Sequence, residues 1–291
     1  MLRKGYNYYV INPITKQWFA LPPIPRPRSH GLICKYDYND DSFSNRVVLL
    51  TPKSKLWEFE AHTFSSDTAE WSVMGFSEEF QFAGFPFNSA LPYKGLLFWC
   101  STSGSLLAFD PYKSICRRSF VIEKPKEWEP MVFTDSLGLE VCHGCLRICQ
   151  ILVQSHVGIW ELEDYDNEGG GKWCLEHKVS INQFVSEKSS WITQYVHRIN
   201  FVHDFIGFHP IDGDIMYLAI ESNVVVCNLR RKTLEVFCFV FFFSWHWTLF
   251  HSWNCSKLCA PLLANSHSFF FLRKCSQIAF TGLLSCLQIQ L

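Results

Sequence analysis

The chain has 291 residues, 48% of them hydrophobic, with 26 basic and 27 acidic side chains. A net charge of −1 removes the electrostatic case for a nucleic-acid or acidic-membrane partner. Thirteen cysteines form an odd, scattered set in a chain long enough to build its own core, which speaks for a reduced compartment, cytoplasmic or nuclear, and against a disulfide scaffold.

In chain order, Met1–Tyr6 has none of the apolar character of a secretory signal. Residues 6–23 predict a strand, a turn opened by Asn12-Pro13, a second strand and a proline-rich exit. Pro22, Pro23, Pro25 and Pro27 make an extended connector whose Arg26 and Arg28 keep it solvated. Gly31 to Tyr38 and Arg46 to Thr51 read as strands around a turn at Asn39-Asp40-Asp41-Ser42. Leu56 to Thr63 alternates apolar and polar residues, and Ser65 to Glu70 is a polar turn leading to Trp71. Gly95 to Cys100, the turn Ser101 to Gly104 and Ser105 to Asp110 form the clearest hairpin. The same plan recurs at Val141 to Gln150 with His156 to Leu162, and at Asp214 to Ile220 with Val224 to Asn228. Gly169-Gly170-Gly171 marks a loop tip, and Val179 to Val196 is the one segment that reads as a helical or irregular insert.

Five segments share one plan: an apolar strand, a turn, then a Trp or other apolar anchor. They run from Tyr8 to Trp18, from Leu56 to Trp71, from Leu106 to Phe120, from Gly158 to Trp173 and from Val224 to Phe237. A strand pair cannot bury its own apolar face, so such units must stack on one another. The repeat predicts an antiparallel all-β fold, a β-propeller or a related repeat fold, in one domain over residues 5–238. From the character of both ends, its closure is expected to be incomplete.

From about Phe239 the character changes. No Asp or Glu follows Glu235, and Phe239–Phe243 and Phe269–Phe271 are apolar runs without alternation. Residues 239–291 therefore read as an atypical hydrophobic tail outside the repeat domain. Val236 to Ser256 is long enough to span a bilayer, but His246, His251, Asn254 and the absence of a basic flank argue against it.

Sites of chemistry are sparse. Cys142-His143-Gly144-Cys145 with Cys149 offers half a zinc site without a second C-x-x-C, since Cys255 and Cys259 lie in the tail. The simpler reading is a strand pair turning at His143-Gly144, with the thiols as small buried hydrophobes. His209-Pro210-Ile211-Asp212-Gly213-Asp214 holds metal-type ligands but reads as a turn. The propeller fold class and acidic residues such as Asp40/Asp41, Glu78/Glu79 and Glu161/Glu163/Asp164 are the only support for a propeller hydrolase acting on a glycan, the alternative reading. Ser66 to Trp71 lacks the glycine and threonine of a sialidase box. Arg117-Arg118 and Arg230-Arg231-Lys232 read as turn charges, with no nucleic-acid role. These patterns predict no catalytic residue, no metal ligand and no cofactor, and leave substrate-recognition residues unassigned.

Asn12, Pro13, Thr15, Trp18, Leu21 and Pro22 match an N-P-x-T-x-x-W-x-x-L-P pattern, and this run resembles the opening of the plant F-box-associated domain. The hairpin from Gly95 to Pro111 is similar to that family's G-x-L-x-W and L-x-x-(Y/F)-D-P segment, and Leu137–Trp160 and Phe205–Asn228 resemble its later strands. The resemblance implies kelch-like propeller blades and a protein-binding module, not an enzyme: the part of an SCF-type E3 ubiquitin ligase that recognises the substrate. It implies a protein target as partner and a Skp1-type adaptor only where an F-box is supplied. Family members usually begin with an F-box, for which nothing before Met1-Leu2-Arg3 leaves room, so the sequence is expected to be a truncated form.

Overall fold

The computed structural model describes residues 8–12, 17–24, 27, 29–37, 42–53, 59–76, 89–113, 119–132, 135–152, 155–165, 170–184, 204–209, 211–220, 223–239, 241–243, 246–248 and 270–273. Their regular structure is β-strand apart from one 3-10 turn, and the strands pair antiparallel. β1 (Tyr8–Asn12) pairs with β2 (Gln17–Ala20). Four sheets of four strands follow in sequence order. The first is β3 (Ser29–Asp37), β4 (Ser42–Pro52), β5 (Phe59–Ser65) and β6 (Glu70–Gly75). The second is β7 (Leu91–Tyr93), β8 (Leu96–Cys100), β9 (Leu106–Phe109) and β10 (Ser119–Ile122). The third is β11 (Ser136–Cys142), β12 (Cys145–Ile151), β13 (His156–Glu163) and β14 (Lys172–Ser180). The fourth is β15 (Asp204–Phe208), β16 (Ile215–Ile220), β17 (Asn223–Asn228) and β18 (Thr233–Phe239).

Each sheet runs strand to neighbouring strand, a meander, which suits short two-residue turns. His143 (φ 51°) and Gly144 (φ 79°) join β11 to β12, and Lys94 (φ 45°) and Gly95 (φ 81°) join β7 to β8. Two positive φ values in succession give the turn twist that matches right-handed strands. Gly95 therefore belongs to a turn, and the strand expected from it begins at Leu96. Likewise Val141 to Gln150 is split by its own turn, with Cys142 directly opposite Cys145.

The five strand–turn–anchor copies fall on five strand pairs: β1–β2 and the last two strands of each four-stranded sheet. Trp71 lies opposite Phe64, Phe120 opposite Ala108, and Val236 opposite Val225. The chain divides into two compact units. In the unit that holds Ile24–Met131 and Trp160–Cys174, β3–β6 and β7–β10 share one core, with Val48, Leu50 and Ala61 from the first sheet and Leu97, Trp99, Leu107 and Phe109 from the second. Every residue of β8 and β9 is buried, which is why Leu96–Cys100 and Leu106–Phe109 read as unbroken apolar runs without alternation. In the unit that holds Asn7–Pro23, Val132–Ile159 and Leu175–Leu291, the core is built by Cys149, Ile151, Met216, Leu218, Val225 and Cys227.

The predicted insert at Val179–Val196 begins as the end of β14 and a 3-10 turn, Ile181–Phe184, and its remainder lies outside the described residues. Past residue 239 the described residues are three short strands. β19 (Phe241–Phe243) pairs with β20 (His246–Thr248), and β21 (Phe270–Arg273) pairs with the free side of β1. The rest of the expected tail lies outside the described residues. Among the described residues no helix is long and apolar enough to cross a membrane.

Candidate recognition groove

Side chains alternate between the two faces of a strand, so register fixes which residues stand in a row. On one face of β4–β5–β6 the rows are Leu50–Ala61–Met74, Val48–Thr63–Ser72 and Arg46–Ser65–Glu70. The first is apolar throughout, and the second begins in the apolar core at Val48 and turns polar towards β6. The last is polar throughout. At that polar end a groove of about 220 Å³ opens, lined by Arg46, Thr63, Ser65, Thr68, Glu70, Trp71, Ser72, Pro111 and Tyr112.

Tyr112 reaches the groove from the turn that follows β9. The Asp110 carboxylate accepts a hydrogen bond from the Tyr112 amide (2.9 Å), which folds Asp110-Pro111-Tyr112 into a tight turn. The Tyr112 hydroxyl donates to the Ser44 carbonyl at 2.7 Å. Burial first of all raises the pKa of this phenol, although its hydrogen bond to Ser44 and the Arg46 charge oppose the rise. The Arg46 guanidinium lies 4.7 Å from the centre of the Tyr112 ring. It also donates to the Ser44 hydroxyl (2.8 Å), the Asn45 carbonyl (3.2 Å) and the Asp67 carboxylate (2.8 Å). That last bond, with help from Ser44 and Ser66, holds the Asp67 carboxyl below its usual range. The β5–β6 turn is thereby fixed from β4.

Glu70 differs from Arg46. It lines the same groove, is exposed, and makes no side-chain hydrogen bond or ion pair among the described residues. Thr63 is 4% exposed, and its hydroxyl oxygen is buried without a hydrogen-bond partner among the described residues. The described lining includes neither His nor Cys, so no nucleophile with an adjacent imidazole base stands there. The groove is equipped for charge and hydrogen-bond recognition.

The other candidates lie elsewhere. Cys142 and Cys145 flank the β11–β12 turn, and His143 Nε2 lies 2.8 Å from the Ile211 carbonyl. Cys149 is fully buried in the core of its unit, and burial pushes its thiol far above the ordinary range. In the segment 209–214, the His209 ring accepts from the amides of Ile211 (3.2 Å) and Asp212 (3.0 Å), and Asp212 accepts from the Asp214 amide (3.0 Å). These would-be ligands are spent on the turn itself. Asp214 pairs with His177 (3.0 Å) and Arg230 (2.7 Å). Glu161 and Glu163 stand at the end of β13, where Glu163 accepts from the Cys174 thiol (2.8 Å), and Asp164 follows at φ 51°. Among the described residues no group of three His, Cys, Asp or Glu side chains is placed to hold a metal ion. Arg26, Arg28, Asp40, Asp41, Glu78, Glu79, Arg117, Arg118, Cys255 and Cys259 lie outside the described residues.

Sequence reasoning missed the groove. Arg46 reads only as a strand start and Glu70 only as the end of a turn. The one available signal was the Asp110-Pro111-Tyr112 run, in which Asp-Pro fixes a turn and the aromatic after it is carried to a defined place.

Residues 2–265 match the family model described as F-box protein At3g26010-like, beta-propeller. The chain is 25% identical over 238 residues to the F-box protein At3g26010 of Arabidopsis thaliana, covering 77% of this chain and 52% of that protein. It is similar to two further Arabidopsis proteins, At3g23950 and At1g15680, whose names are those of an F-box protein and an F-box/kelch-repeat protein. Identities are 24% over 252 residues and 23% over 254, covering 79% and 80% of this chain and 56% of each relative. The chain spans about half the length of the curated relatives it matches.

Proposed function

Because the chain belongs to the At3g26010-like β-propeller family of F-box proteins, we propose that it is a protein-binding module, the part that recruits a target to an SCF-type ubiquitin ligase. The match over residues 2–265 carries this reading. The four meandering sheets correspond to blades, and blades hold loops and strand ends rigidly enough to present a binding surface. The groove around Arg46, Glu70 and Tyr112 supports it, since it offers fixed polar groups without a catalytic pair. In this reading the module works without cofactor, in the cytoplasm or nucleus. It reaches a Skp1-type adaptor through an F-box joined to it.

The test is a fusion of an F-box to the chain, expressed in plant cells with the proteasome blocked. Skp1 should co-purify with the fusion, and a reproducible set of ubiquitylated proteins should accumulate on it. The double variant Arg46→Ala, Tyr112→Ala should retain Skp1 and lose that set. An unchanged set would move recognition away from the groove, and no set at all with the parent fusion would overturn the reading.

A further inference from the structure

We propose that the groove takes a basic side chain, lysine or arginine, from an extended segment of the target protein. This rests on the reading that the chain binds a protein. The argument turns on which charges in the groove are already spent. Arg46 is spent: its guanidinium serves Asp67, the Ser44 hydroxyl and the Asn45 carbonyl while stacking on Tyr112. Asp67 is spent on Arg46, and on the Ser44 and Ser66 hydroxyls that donate to it. The remaining charge in the lining is Glu70, a carboxylate with no partner among the described residues. Within the lining itself the unsatisfied charge is therefore negative, while the Lys35 ammonium, outside the lining, lies 5.8 Å from the centre of the Tyr112 ring.

The neutral groups are compatible with this. The Thr63 hydroxyl is buried in the same lining without a hydrogen-bond partner among the described residues, and it can accept as well as donate. A lysine ammonium or arginine guanidinium supplies donors and accepts nothing, which suits the open Glu70 carboxylate. The lining also offers the apolar flank of Pro111, against which the methylene stem of a long basic side chain packs while its head meets the carboxylate. Glu70 begins β6, the edge strand of its sheet, so an extended peptide can run alongside it and drop one side chain into the groove.

The experiment uses an immobilised library of random peptides, probed with the purified chain and with Glu70→Gln, Glu70→Lys and Tyr112→Ala. Glu70 is exposed, so its variants should melt with the parent, and circular dichroism checks this. The parent should select peptides with Lys or Arg at one position. Glu70→Gln should weaken those peptides by about tenfold, as loss of a charged hydrogen-bond acceptor does. Glu70→Lys should reverse the selection towards Asp and Glu. If the parent selects peptides that Tyr112→Ala loses, yet with no basic preference, the inference falls and the groove remains a protein-binding site. The same holds if the Glu70 variants select as the parent does. If the parent retains no peptide at all, both the inference and the reading beneath it fall.

Discussion

Arg46 shows how a single side chain can hold three pieces of backbone together. Its fork reaches the β5–β6 turn through Asp67 and its plane lies on Tyr112, which in turn bonds the Ser44 carbonyl of β4. Lysine keeps the charge but has neither the plane nor the fork. Arg46→Lys should therefore destabilise the protein by about 1–2 kcal/mol, since stacking and two directed hydrogen bonds are lost together. Tyr112→Phe removes one hydrogen bond and leaves the stack, and should cost about 1 kcal/mol. Urea denaturation of both variants checks the order. If Arg46→Lys proves neutral, the guanidinium is a surface ion pair of the ordinary weak kind.

At the scale of the element, two glycines separate conformation from space. Gly104 (φ 87°) closes the β8–β9 turn, and Gly144 (φ 79°) closes the β11–β12 turn. A Cβ on Gly144 meets nothing within 4 Å, whereas one on Gly104 comes within 2.5 Å of the Trp128 ring. Trp128 is 6% exposed and packs against Trp160, so it has little room to yield. Gly144→Ala should cost about 1–2 kcal/mol, the price of a left-handed residue. Gly104→Ala should cost roughly twice that or more, because the steric conflict adds to it. Equal shifts in melting temperature would contradict the packing at Trp128. This contrast also marks what the sequence can carry. The strand pairs behind the repeat were legible because β9 and β17 are apolar runs followed by a turn and an apolar anchor, although the spacing varies from copy to copy. Apart from β3, the first strand of each sheet was harder to read. β11 mixes Gly138 and Glu140 into its pattern, and β7 has only three residues and includes Pro92. The groove was not legible, because Arg46, Glu70 and Tyr112 meet through register between strands and through the order of two sheets, neither of which leaves a local motif.

Across the whole molecule, two strongly shifted groups act on stability against pH in opposite directions. His30 in β3 is largely buried, and that burial lowers its pKa from 6.5 to about 4. The fold therefore prefers the neutral ring. Its contribution is complete above pH 6.5 and is lost as pH falls towards 4. Glu140 in β11 is raised from 4.5 to about 7, chiefly by burial, against the opposing bond from the Phe208 amide (2.7 Å). Here the fold prefers the protonated acid. Its contribution is complete below pH 4.5 and is lost as pH rises through 7. Each shift amounts to about 2–3 kcal/mol at about 1.4 kcal/mol per unit, with allowance for partial exposure. Between pH 4.5 and 6.5 the two slopes have opposite sign and similar size, so these two groups together should leave the summed stability nearly flat. Single variants should uncover each slope. His30→Gln leaves the acid opposed only by the lesser lowering at His62, and stability should fall as pH rises across that window. Glu140→Gln leaves only the imidazole, and stability should rise instead. The two groups belong to different compact units, so hydrogen exchange read strand by strand adds a separate check. Corrected for intrinsic rates, amides of β3 and β4 should gain protection with rising pH, while those of β11 and β12 lose it. Slopes of the same sign in both variants would mean that one of the two side chains is hydrated in the folded protein.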